Sequence, residues 1–280
     1  MRTLLILTDF SESSFRAAEY GCSLAGILHI QRIILYHSYS TVIPTTDIPV
    51  SDVKTNQQIY LESMQALALL QDRLRTQVDP AVTIELLSED VFLPEGIDRL
   101  CRKKAVDLVV LGASGSSGFE RAVMGSTTAR LLADPCVPLL IVPAETPIGR
   151  GIKTIAFAAD LRNIPHLPVV QLYLFLDALR AEICVVNVEP SADEGKYFPE
   201  KKQALLDLHH LLDKYHPSFY DVEGEDVADS ILAFADGHKA SLIIVVPGTH
   251  HYLSSIFHKT VSKRLAYRST VPLLALSAAK

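Results

Sequence analysis

The chain has 280 residues, 49% hydrophobic and 21% charged, which is enough for two ordinary globular domains, each with a real core. Its net charge of −6 argues against a broad phosphate-binding face, so nucleic acid is not expected as a partner. The apolar run of the opening MRTLLILTDFSES is cut short at Thr8-Asp9, and no stretch approaches the ~20 apolar residues of a membrane span; no signal peptide and no membrane partner are expected, and the protein is placed in the cytoplasm.

Along the chain, short runs rich in Val, Ile and Leu alternate with longer amphipathic segments. The runs are residues 4–7, 32–36, 82–87, 108–111 and 137–142, then 154–158, 183–188, 219–222, 242–246 and 271–276. Apolar on both faces, they read as parallel strands covered by helices, one of which is predicted over 60–77. The alternation predicts an α/β fold with right-handed crossovers. The segment 41–56, with two prolines and several Ser, Thr and Asp residues, reads as a surface loop that the second half mostly lacks.

The two halves repeat one another. LVVLGASGSSGFERAVMGSTTARLLADPCVPLLIV runs without a gap against LIIVVPGTHHYLSSIFHKTVSKRLAYRSTVPLLAL, so that Leu108 meets Leu242 and the two VPLL segments coincide. Two copies of this length are a duplicated domain rather than a solenoid. The Pro- and Gly-containing segment 144–151 divides them into domains 1–146 and 150–280. The expected fold is two tandem doubly wound parallel five-stranded sheets, and the apolar last strand of each copy is expected to pair with the other. The chain is then an intrachain pseudo-dimer, which either stands alone or pairs again into a homodimer.

The chemically informative stretch is Gly112-Ala-Ser-Gly115, nine residues, then Gly125-Ser126-Thr127-Thr128. Gly112 follows a strand, and Gly125 precedes a helical pattern over 127–133. Glycine lets backbone approach a phosphate where a Cβ would collide, and the helix opening at Ser126 offers free N–H groups, a positive dipole end and three hydroxyls. The spacing is neither GxGxxG nor GxxxxGK[ST], since no lysine precedes Ser126.

Gly-x2-Gly-x9-Gly-Ser resembles the ATP-binding pattern of the universal stress proteins. ILTDFSESSFRAAEYGCSLA, LVVLGASG and VPLLIVP are similar to segments of that family, closely in the first half and more loosely in the second. The resemblance implies an Mg²⁺-bound adenine nucleotide, ATP or its ADP or AMP form. In it Thr8 and Asp9 line the adenosine end, backbone at Ser38 reads the adenine edge, Leu111 and Gly112 lie near the sugar, and Gly115, Gly125, Ser126, Thr127 and Thr128 hold the phosphates. Asp9 is read as a ligand group rather than a helix N-cap, because Ser11 is the better cap.

In the second copy Asp160 holds the place of Asp9, while Val246, Thr249 and Lys259 replace Gly112, Gly115 and Gly125; Thr260 and Ser262 keep hydroxyls. ATP is not expected to bind there in the same way, although Pro247-Gly248 leaves room for a rearranged site and lysine can serve as a point-charge phosphate ligand. His250, His251 and His258 read as exposed loop histidines rather than a metal site. The four cysteines, Cys22, Cys101, Cys136 and Cys184, show no CxxC spacing and no His/Asp pattern, so free, mostly buried thiols are expected and a catalytic one is not. Glu120 and Arg121 read as a solvated loop pair. With no evident catalytic base or arginine finger, the expectation is a nucleotide-dependent sensor acting through an unidentified protein partner, not an enzyme, with at most slow ATP hydrolysis; the competing reading is a slow ATPase or small-molecule transferase.

Overall fold

The computed structural model describes residues 1–40, 55–113, 126–190, 200–247 and 259–277. The first half runs β1 (Thr3–Leu7), α1 (Glu12–Leu24), β2 (Arg32–Tyr39), α2 (Asn56–Arg75), β3 (Thr83–Asp90), α3 (Leu93–Lys104), β4 (Leu108–Gly112), α4 (Ser126–Ala133) and β5 (Leu139–Val142). The second runs β6 (Thr154–Ala158), a 3-10 turn (Leu161–His166), α5 (Val169–Leu179), β7 (Glu182–Pro190), α6 (Lys201–Leu212), β8 (Ser218–Gly224), α7 (Val227–Gly237), β9 (Leu242–Val245), α8 (Lys259–Arg268) and β10 (Leu273–Ala275). Among the described residues no helix is long and apolar enough to cross a membrane.

The strand β1 shows why the apolar runs take this form. All five of its residues are buried. Leu4 and Ile6 join a core with Ala17 and Ala18 of α1 and Leu67 and Leu74 of α2, whereas Leu5 and Leu7 join a second core with Ile97 and Leu100 of α3. Successive side chains point to opposite faces, and a helix layer covers each. The fold is thus α/β and doubly wound.

Each half forms a parallel five-stranded sheet of the same order. The first is β3-β2-β1-β4-β5 and the second is its mirror in sequence along the sheet, β10-β9-β6-β7-β8. They join edge to edge, β5 against β10, in the antiparallel contact of the ten-stranded sheet: Leu139, Leu140 and Ile141 lie opposite Ala275, Leu274 and Leu273. Helices α4 and α8 meet across this seam. The seam makes the chain a pseudo-dimer of its own two halves. In the connection between them Gly149 and Gly151 have φ of +77° and +66°, left-handed angles that glycine adopts without strain.

Two segments differ from the sequence expectation. Helix α2 begins at Asn56 and not at Tyr60, because Thr55 and Gln58 form a reciprocal capping box: the Gln58 N–H donates to Thr55 Oγ1 (3.2 Å) and the Thr55 N–H to Gln58 Oε1 (2.9 Å). In the second half no helix opens directly after the first strand. Pro165 and Pro168 allow only a 3-10 turn before α5. The segment read as a surface loop, 41–56, lies outside the described residues up to 54.

Candidate functional site

Strand β1 pairs with β2 on one side and with β4 on the other. The crossovers diverge here, so a crevice forms at the carboxyl ends of β1 and β4, where open α/β sheets take their ligands. Helix α1 starts at this edge from β1. Helix α4 follows β4 and brings Ser126, Thr127 and Thr128 into its first turn, with Thr128 buried. Thr8, Asp9, Ser38, Leu111 and Gly112 are therefore brought to one edge by three adjacent strands. Gly115 and Gly125, with Glu120 and Arg121, lie outside the described residues, as do His250, His251 and His258.

The turn from β1 into α1 is held by a dense set of hydrogen bonds. Thr8 N–H donates to Tyr36 O (3.0 Å), and Thr8 O meets His37 Nδ1 (2.8 Å). Thr8 Oγ1 accepts from the Phe10 N–H (3.0 Å) and lies 3.0 Å from Ser14 Oγ. Thr8 is buried, and these bonds make it a positioning residue for the turn. The exposed Asp9 accepts at Oδ1 from the Ser11 N–H (3.0 Å) and from Ser11 Oγ (2.5 Å). Ser11 is the N-cap of α1, accepting from the Ser14 N–H (3.2 Å). Asp9 thus holds the cap residue while its carboxylate stays at the mouth.

Two residues that the sequence reading passed over complete the edge. Phe10 has φ of +62°, a strained angle for a side chain of its size, and is 40% exposed. Its ring lies 4.5 Å from the His37 ring, and His37 lies 6.4 Å from Tyr39. An exposed aromatic face at the end of two parallel strands was not readable from FSES, where only the cap residues stand out.

Gly112 has a reason that the sequence alone did not supply. A Cβ on it would come within 2.5 Å of Ser13 Oγ and 3.0 Å of the Ser13 backbone carbon and oxygen. The glycine is thus required by the first turn of α1, whatever approaches from outside. Gly112→Ala is expected to lower stability by about 1–3 kcal/mol, the usual cost of overpacking. Denaturant unfolding measures this, and an unchanged midpoint would mean that α1 can retreat freely. Ser13 Oγ itself is buried and makes no hydrogen bond among the described residues.

The second half builds the corresponding edge differently. Asp160, only 6% exposed, caps the 3-10 turn by accepting from the Arg162 N–H (3.1 Å). Leu161 and Ile164 of that turn are buried in the same core as Val246. Val246 stands at the position aligned with Gly112 and is itself buried. Asp9 faces solvent and Asp160 does not.

The sequence model of the universal stress protein family matches residues 1–143. A universal stress protein of Methanocaldococcus jannaschii is 26% identical over 143 residues, which are 50% of this chain and 81% of that protein. The crystal structure of a universal stress protein from Archaeoglobus fulgidus aligns with a TM-score of 0.70 at 17% identity, covering 98% of both chains. A putative universal stress protein from Pseudomonas aeruginosa aligns at 0.66 and 13% identity, over 99% of this chain and 94% of that one. The two structures share the whole-chain fold, and the family match covers the half that carries the crevice: the chain belongs to the universal stress protein family.

Proposed function

We propose that the first half, residues 1–146, binds one adenine nucleotide, ATP with Mg²⁺, and that the protein is a cytoplasmic nucleotide-dependent sensor acting through contacts with another protein. The carrying observation is the convergence of Asp9, Ser38, Gly112 and the first turn of α4 at the divergence of the β1 and β4 crossovers. Other features of the edge support the reading. The Phe10 and His37 rings offer a face for a base to stack on. Asp9 presents a carboxylate suited to ribose hydroxyls. The Ser13 hydroxyl, buried without a partner among the described residues, would donate a hydrogen bond to a ligand oxygen, where leaving it unsatisfied costs about 1–3 kcal/mol. The amide groups of α4 suit phosphate. Ser126, Thr127 and Thr128 would hold phosphate oxygens, and Mg²⁺ between those oxygens would neutralise part of their charge.

The second unit, 150–280, keeps the fold without this site: Asp160 is buried and Val246 fills the place of Gly112. Binding rather than catalysis is supported by the way the polar groups are spent. Asp9 Oδ1 is tied to Ser11 and His37 Nδ1 to the Thr8 carbonyl, both holding the turn. Calorimetry is expected to give one ATP per chain. Steady-state turnover is expected at or below about 0.01 s⁻¹, against roughly 1–1000 s⁻¹ for typical enzymes. Two equivalent sites would refute the one-site reading, and turnover near 1 s⁻¹ would replace the sensor with an enzyme.

A further inference from the structure

Beyond the amino ends of β1, β4 and β5 a cavity of about 190 Å³ opens between the two halves of the chain. Val106, Val137 and Pro138 wall it from the first half, and Leu174 and Phe175 of α5 wall it from the second. Val106 and Phe175 are buried, whereas Leu174 is 49% exposed and stands at the mouth. Neither half forms the cavity alone. It lies at the opposite end of the first half's strands from the candidate nucleotide edge, shares no residue with it and is independent of it. Atoms that line a void lack packing partners on one side, so an occupant that fills it restores those contacts.

Two polar side chains interrupt the apolar wall, Asp107 and Gln171. Asp107 Oδ2 accepts from the Arg2 N–H (2.7 Å) and the Thr3 N–H (2.9 Å), which fixes the carboxylate in place. Gln171 Oε1 accepts from the Ser277 N–H (3.0 Å), which ties α5 to the segment after β10. Backbone donors of the wall are spent within the chain. The Val106 N–H donates to Cys101 O (3.0 Å), the Asp107 N–H donates to Thr3 O (2.9 Å), and Pro138 has no N–H to give. No Lys, Arg or His side chain lines the cavity. An anion therefore finds little to hold it, whereas a carboxylate has lone pairs for a further donor.

We propose that this cavity binds a small organic amine, with its apolar body among Val106, Leu174 and Phe175 and its ammonium group on the Asp107 carboxylate. The volume sets the size of the ligand. An apolar cavity of about 150 Å³ takes a benzene ring. The space here takes a ring with a short arm, and the arm carries the charge to Asp107. The net charge of −6 favours the approach of a cation over that of an anion. Because the walls come from both halves, the amine binds only the joined form, and it stabilises the β5–β10 seam by mass action.

The test titrates the full-length protein by calorimetry with three probes of similar shape: phenethylamine, phenethyl alcohol and phenylpropionate. The amine is expected to bind and the carboxylate is not. The alcohol is expected to bind roughly tenfold more weakly than the amine, the difference between a neutral and a charge-assisted hydrogen bond. Asp107→Asn keeps an oxygen for the Arg2 and Thr3 amides and is expected to bring the amine down to the affinity of the alcohol. Leu174→Trp, at the exposed mouth, is expected to fill the cavity and abolish binding of both. If no probe binds the wild type, or if Leu174→Trp binds the amine undiminished, there is no such site and the proposal is overturned. An alcohol or carboxylate that binds as tightly as the amine overturns the assigned ligand class, as does an Asp107→Asn variant with unchanged amine affinity.

Discussion

Gly125→Lys is expected to weaken ATP binding by at least about 100-fold, or about 2.8 kcal/mol at about 1.4 kcal/mol per factor of ten. Gly125 directly precedes Ser126, the first residue of α4. In the proposed site the phosphates meet the amide groups of that first turn, and a side chain beside them competes for the same space. The lysine charge by itself favours a phosphate, so a loss of binding separates the steric effect from the electrostatic one. The fold is expected to survive, because the second half carries Lys259 at the aligned position and still forms α8 from it. Calorimetry on the variant, with its unfolding midpoint as a control, decides the matter: undiminished affinity in a folded variant removes the phosphates from this loop.

The fold was legible because its strands are buried on both faces. A run such as TLLIL can satisfy two helix layers at once, and only a covered parallel sheet asks for that. The duplication was legible from the two VPLL segments, which the structure places on either side of the β5–β10 seam. The start of α2 was legible in principle, since Thr55 and Gln58 have the spacing of a capping box. What sequence could not give were contacts between distant segments. Gly112 looked like a ligand-facing glycine, and only the folded chain brings Ser13 against it. Phe10 and His37 lie on separate strand ends, and nothing local announces that their rings meet. The second half showed first its missing glycines; the structure adds the buried Asp160 and the 3-10 turn.

A chain ending at Gly149 is expected to self-associate, with an unfolding midpoint that depends on its concentration. In the whole protein β5 is an interior strand of the ten-stranded sheet, and Leu139, Leu140, Ile141 and Val142 are at most 2% exposed. Removing the second half leaves one side of β5 without its ladder and uncovers apolar side chains, each contributing about 1.5–3 kcal/mol when fully buried. An exposed apolar edge of this kind is a template for another strand. The seam already has the symmetry required. Leu140 faces Leu274 at its centre, with Leu139 and Ile141 facing Ala275 and Leu273 on either side. A second β5 in place of β10 would put Leu140 opposite Leu140, and Ile141 opposite Leu139 where Ala275 stood. The larger isoleucine adds some crowding, which makes this pair a less perfect fit than the native one without altering its register. A two-fold dimer then buries what the second half buried, and its stability rises with protomer concentration. Light scattering with unfolding curves at several concentrations tests this. If the shortened chain stayed monomeric and as stable as the whole, the β5–β10 seam would contribute nothing that the first half needs.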